Sequence, residues 1–184
     1  MNQREAMQRL KAMGTAQNRK VYRRHGIDEP LYGVSYANLR KLAREIRIDP
    51  GLARGLWQTG NHDARVLATM VMDPLLKKPG ELDVWVRDLD NYVVTDAFAG
   101  MVGRSPHARK KMEAWGRSPK EWRGRAGWTL LAHLAMSKEE IPDSFFEDKL
   151  GVIESEIHSR KNRVRVNLCS TRCRAGSRRT SWSR

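Results

Sequence analysis

The sequence predicts an all-α fold: an α-solenoid of HEAT-like antiparallel helix pairs with a concave basic groove. Three observations predict it. Apolar residues recur at helical spacing along most of the chain, no strand alternation or hairpin signal interrupts them, and a unit of about 30 residues repeats. In that unit a Trp near the end of one helix is followed by a turn. A helix with a polar residue beside Ala in its first turns comes next. Trp57 leads to Asp63-Ala64, Trp85 to Asp96-Ala97 and Trp115 to Arg125-Ala126. Helix pairs of this kind bury their apolar faces on their neighbours, and one helix of each pair lines the concave side. The helices beginning at Asn61, Asn91 and Pro119 are the candidates for that side. An irregular helical bundle is the alternative.

The elements follow in order. Residues 2–13 and 16–24 read as two short helices around Gly14, and Asn18, Arg19, Lys20, Arg23 and Arg24 make the second one basic. That basic face is either solvated or a phosphate contact. His25-Gly26 ends it, since Gly suits the left-handed position after a helix. After the loop at Pro30–Val34, Ser35 caps a helix with Leu39, Leu42, Ala43 and Ile46 at helical spacing. Asp49-Pro50-Gly51 breaks it. Leu52, Leu56 and Trp57 form the next, stopped by Thr59-Gly60. Asn61 caps a helix with Val66, Leu67, Met70 and Val71 inward. Pro79-Gly80 precedes a helix holding Leu82, Trp85 and Val86. Ser105-Pro106 starts one running through Met112 and Trp115, and Ser118-Pro119 starts one carrying Trp122, Trp128, Leu130, Leu131 and Leu134. Asp143 caps the last clear helix, with Phe145, Phe146, Leu150, Ile153 and Ile157.

The helix entered through Asp90 or Asn91 is unlike the others. Val93, Val94, Ala97, Phe98, Met101 and Val102 form a broad apolar half expected to face the core. Tyr92, Asp96, Ala99 and Gly103 fall on the other side. A solvated face would carry Lys, Glu and Arg. This one carries an aromatic, a carboxylate and two residues with almost no side chain. Either a neighbouring helix fills the space and an Arg pairs with Asp96, or Asp96 and Tyr92 line a ligand groove.

Length bounds the rest. At 184 residues the chain is expected to hold one domain over 1–165, followed by a basic aperiodic tail over 166–184. The net charge of +14 points to a polyanion partner. Nine of the 35 Lys and Arg residues lie between Ser159 and Arg184, where there is no Asp or Glu, so the rest of the chain carries only +5. The tail is either a disordered basic arm that adds affinity for nucleic acid or a stretch read in the wrong frame, the second being preferred because Ser, Arg and Cys recur without periodicity. Its Cys169 and Cys173 lack a second ligand pair, so no metal is expected. His62, His107 and His133 have no ligand spacing either. No stretch reaches membrane-spanning length and no apolar segment follows the N-terminus, so a cytoplasmic protein without a membrane partner is expected.

Set side by side, the concave helices would offer Asn61, His62 and Arg65, then Tyr92 and Asp96, then Arg123 and Arg125. Lys161, Arg163 and Arg165 would come from a fourth helix. Arginines suit bidentate phosphate contacts. A carboxylate among them has no purpose in pure binding, because phosphate repels it. It has one if positive charge develops nearby, as on a sugar losing its base.

Tyr32-Gly33-Val34, Trp57-x-x-Gly60-Asn61-His62-Asp63-Ala64-Arg65, Asp88-x-Asp90-Asn91-Tyr92-x-x-x-Asp96 and Trp122-x-x-Arg125-Ala126 together resemble the AlkD-like DNA alkylation repair family. The likeness covers roughly residues 3–165. It implies a HEAT-like DNA glycosylase that excises cationic N3- and N7-alkylated purines from duplex DNA, as a monomer and without a cofactor. By the same resemblance Asp96 is the catalytic carboxylate, Tyr92 packs near the lesion's sugar, and Arg125 contacts DNA. Arg65, Arg123, Asn61 and Arg163 complete the expected DNA-binding set. The chain departs from the family in carrying Tyr92 where Trp is usual, and in replacing further C-terminal helices with the aperiodic tail. The alternative is a non-catalytic HEAT-like module that binds DNA or a protein. A third reading confines nucleic-acid binding to the tail.

Overall fold

A computed structural model of the chain describes residues 1–75, 78–137, 141–156, 158, 159, 161 and 164. All regular structure among them is helical. Arg163, Cys169, Cys173 and the 166–184 tail lie outside the described residues. The chain divides into two compact units, one over Met1–Lys78 and one from Pro79 onward.

The first unit holds α1 (Gln3–Met13), α2 (Ala16–Arg24), α3 (Tyr36–Ile46), α4 (Pro50–Gln58) and α5 (His62–Val71). Their starts are written locally. The side chains of Asn2, Thr15, Ser35, Asp49 and Asn61 each accept a hydrogen bond from a backbone N–H in the first turn, satisfying donors that the helix leaves unpaired. Asp49 therefore starts α4, after Arg47 has already ended α3, with Pro50 at the first position, where its missing N–H costs nothing. α4 and α5 form a hairpin, with α3 packed on α5 and α1 on α4. Leu10, Ile27, Leu42, Leu56, Trp57 and Leu67 are buried between them.

One buried carboxylate ties this unit together. Asp63, in the first turn of α5, is fully buried. Its oxygens accept the backbone N–H groups of Tyr32 at 2.6 Å, Gly33 at 3.1 Å and Val34 at 2.9 Å. Gly33 sits at φ +77°, where a Cβ would meet the Arg19 backbone nitrogen at 2.7 Å. The loop between α2 and α3 thus hangs on α5 through charge-assisted hydrogen bonds, which are among the stronger ones available to a carboxylate.

The second unit holds α6 (Pro79–Trp85), a 3-10 turn at Val86–Asp88, α7 (Tyr92–Val102), α8 (Ala108–Gly116), α9 (Glu121–Ala135) and α10 (Asp143–Glu156). Two starts differ from the sequence expectation. α8 begins at Ala108, because Ser105 first makes a turn in which its hydroxyl accepts the His107 N–H. α9 begins at Glu121, because Ser118 does the same with Lys120. Trp85, Phe98 and Trp115 form an aromatic cluster, with ring centroids 6.5 Å apart for Trp85–Phe98 and 5.6 Å for Phe98–Trp115. The recurrent Trp residues at 57, 85 and 115 are all core anchors. α8 and α9 cross so closely that a Cβ at Gly127 would lie 2.2 Å from the backbone nitrogen of Gly116. Val164 is buried and meets Gly124 of α9.

Candidate active site

The site is built on α7 and α9. Asn91 caps α7, its side chain accepting the Val93 and Val94 N–H groups at 3.1 Å each. Val94, Thr95, Phe98, Ala99, Met101 and Val102 are buried. Two placements correct the helical-wheel expectation. Val93 and Ala97 are only half-buried, and Ala99 faces inward. α9 lies beside α7 and runs the same way. Tyr92 and Asp96 meet Arg125 and Thr129, and a turn later Gly100 and Gly103 meet His133. A neighbouring helix therefore does occupy part of the small-residue face.

Asp96 and Arg125 form a two-pronged pair. Arg125 Nε donates to Asp96 Oδ1 at 3.0 Å, and Nη2 donates to Oδ2 at 2.8 Å. The Thr129 hydroxyl lies 3.4 Å from the same Oδ1 and 2.9 Å from the Arg125 carbonyl oxygen. The Tyr92 ring covers the guanidinium, with its centroid 5.9 Å from Cζ. The pair is lopsided in exposure. The Arg125 side chain is 7% exposed and that of Asp96 is 42% exposed. Arg125 is thus a buried support, and Asp96 is the part that solvent or a ligand can reach. Such a fork fixes the carboxylate plane, which a single hydrogen bond would leave free to rotate.

Arg123 stands elsewhere. Two residues along a helix is a turn of roughly 200°, so it leaves α9 on nearly the opposite side from Arg125. There it acts on Asp83 of α6. Asp83 accepts hydrogen bonds from Lys111 Nζ at 2.6 Å and Trp115 Nε1 at 3.0 Å. Burial pushes its carboxyl up, but the bonds from Lys111 and Trp115 and the charges of Lys111 and Arg123 outweigh that and hold it below its ordinary value of 3.8. A depressed folded value makes this stabilisation present above about pH 4 and lost as the pH falls through the lower, folded value. Asp83→Asn is expected to flatten the acid limb of a stability–pH curve below that point. An unchanged acid limb would count against it.

In the first unit, Asn61 is buried and spends its side chain on capping α5 at Ala64. His62 is buried edge-on to Tyr22, with ring centroids 5.6 Å apart. Arg65 is half-buried, with Cζ 5.5 Å from the Trp57 ring centroid. No cluster of three His, Cys, Asp or Glu residues suited to a metal ion occurs among the described residues. No helix among them is long and apolar enough to cross a membrane.

The family model described as DNA alkylation repair enzyme matches residues 6–170. The chain belongs to that family. Membership places this DNA alkylation repair protein in DNA repair, and its match spans α7 and α9 with the Asp96–Arg125 pair between them. A solved structure described as representing a new family of proteins related to the HEAT-like repeat DNA glycosylases, with affinity for branched DNA structures, is similar to it. That similarity has a TM-score of 0.93 at 25% identity, over 98% of this chain and 78% of that one. The helical fold with HEAT-like pairs expected from the sequence is the fold of this relative. None of the curated proteins matches the chain.

Proposed function

We propose that the protein is a DNA glycosylase that hydrolyses the N-glycosidic bond of N3- and N7-alkylated purines in duplex DNA. One observation carries the reading: Asp96 is gripped by Arg125 on one side and 42% exposed on the other. An alkylated purine of this class is already positively charged. It leaves as a neutral base, taking the electron pair of the C1′–N bond with it. Positive charge then develops on the sugar, and a fixed anion stabilises it. A water oxygen bonds to C1′ as the base departs, and its proton passes to the Asp96 carboxylate and on to solvent. No general acid is needed for so good a leaving group, and no metal or nucleotide cofactor enters the scheme. Tyr92 packs against the sugar, and in the first unit Arg65 contacts a phosphate. Arg125 serves mainly by aiming Asp96, beside any contact with DNA. The partner is alkylated duplex DNA, met by a cytoplasmic monomer.

A second reading comes from the relative with affinity for branched DNA. On that reading the chain binds junctions without excising a base. Incubation with methylated duplex, followed by chromatography of the released bases, separates the two. Free 3-methyladenine or 7-methylguanine above the spontaneous background supports the glycosylase. Background release with a four-way junction held more tightly than duplex supports the binding protein.

A further inference from the structure

Among the described residues, Thr69, Thr95 and Thr129 are buried threonines, and each returns its hydroxyl to its own helix. Thr69 donates to the Val66 carbonyl oxygen at 2.8 Å, Thr95 to that of Asn91 at 2.7 Å and Thr129 to that of Arg125 at 2.9 Å. Such a bond satisfies a buried hydroxyl and needs no other purpose. Thr129 differs in what else lies beside it. Its Oγ1 is also 3.4 Å from Asp96 Oδ1, across the contact between α7 and α9. The hydroxyl has one proton and two acceptors, one a neutral carbonyl and the other an anion.

That second contact makes the two oxygens of the carboxylate unequal. A carboxylate offers about four lone-pair sites, two on each oxygen. The Arg125 fork takes one on each, Nε on Oδ1 at 3.0 Å and Nη2 on Oδ2 at 2.8 Å. The fork by itself would leave one open site on either oxygen. Thr129 stands at the second site of Oδ1. Oδ2 has no further donor among the described residues, and the Asp96 side chain is 42% exposed.

We propose that Thr129 is a positioning residue for base release: it fills the second site on Asp96 Oδ1, so that Oδ2 keeps the open lone pair and is the oxygen presented to the sugar. The proposal rests on the glycosylase reading above and divides the roles within it. Arg125 fixes the plane of the carboxylate, and Thr129 decides which of its oxygens stays open. Thr129 is itself 8% exposed, one helical turn beyond Arg125, and acts through Asp96.

The test uses the full chain and pairs base release with binding. Thr129→Val keeps the shape of the side chain and removes the hydroxyl. Single-turnover release from alkylated duplex at saturating protein is expected to slow about three- to tenfold, the scale of one weak hydrogen bond to a charged group. Affinity for undamaged duplex is expected not to change. Thr129→Ser, which restores the hydroxyl, is expected to recover most of the rate. Thr129→Ala is expected to match Val, and melting curves show which variants are folded. In the Asp96→Asn background Thr129→Val is expected to slow release no further, because the anion through which it acts is gone. A second readout needs no turnover. Wild type is expected to hold a duplex with a cationic pyrrolidine in place of one sugar more tightly than one with neutral tetrahydrofuran there, and Thr129→Val to lose part of that preference.

Wild-type release rates from folded Val or Ala variants overturn the proposal. So does an equal slowing by Thr129→Val with and without the Asp96 charge, or a Ser variant as slow as Val, which would assign the effect to the methyl group. If wild type releases no base, the glycosylase reading falls. A preference for the cationic duplex that Thr129→Val then lowers keeps the alignment of Asp96 by Thr129, and a preference that is unchanged or absent overturns that too.

Discussion

Asp96→Asn is expected to release alkylated purine at least about 100-fold more slowly than wild type, while binding duplex DNA as tightly or more tightly. The magnitude follows from the usual loss when one electrostatic group is removed from a transition state. Asn is nearly the same size, and its carbonyl oxygen can still accept from Arg125 Nε, now found 3.0 Å from Asp96 Oδ1. The negative charge is gone, and with it both the stabilisation of a sugar cation and the repulsion of nearby phosphate. Arg125 loses half of its fork while its side chain stays buried, so a stability loss of about 1–2 kcal/mol accompanies the change. Single-turnover base release at saturating protein reads the chemistry, and anisotropy with the same duplex reads binding. Wild-type release rates from a folded Asp96→Asn variant would remove Asp96 from the mechanism.

Asp63→Ala is expected to cost the first unit about 3–5 kcal/mol, the largest stability effect of any single change considered. Its carboxylate is fully buried and accepts three backbone N–H groups. Truncation leaves all three donors without an acceptor in a place that water does not reach. The loss should be local before it is global. The Tyr32, Gly33 and Val34 amides should lose protection in hydrogen exchange, and α2, fastened to Gly33 and Val34, should fray with them. A denaturation midpoint equal to wild type would show that the loop is held by something other than Asp63.

These two aspartates show how far the sequence reaches. Both stand beside Ala early in a helix, Asp63 in the first turn after Asn61 and Asp96 in the second turn after Asn91, and neither pattern says what covers the carboxylate. Folded, one is sealed under a loop and the other is 42% exposed. The repeat was legible because a period of apolar residues and a buried Trp are local, recurrent signals. Caps such as Ser35, Asn61 and Asn91 were legible because the side chain bonds within its own first turn. Ser118 and Ser105 misled because Ser also turns the chain outside helices, and there it delays the helix.

The pairing of Asp96 with Arg125 appeared in the sequence only as one of two alternatives, because 29 residues separate the partners. Grouping Arg123 with Arg125 ignored the turn between them, which sends Arg123 toward Asp83. By itself the sequence determined that this chain is helical, where several of its helices are capped and which tryptophans anchor them. Those follow from periodicity and hydrogen bonds a few residues long. Only the tertiary structure decided which side of each carboxylate is covered. Exposure depends on which helix comes to lie alongside, and that is set by packing among residues far apart in the chain.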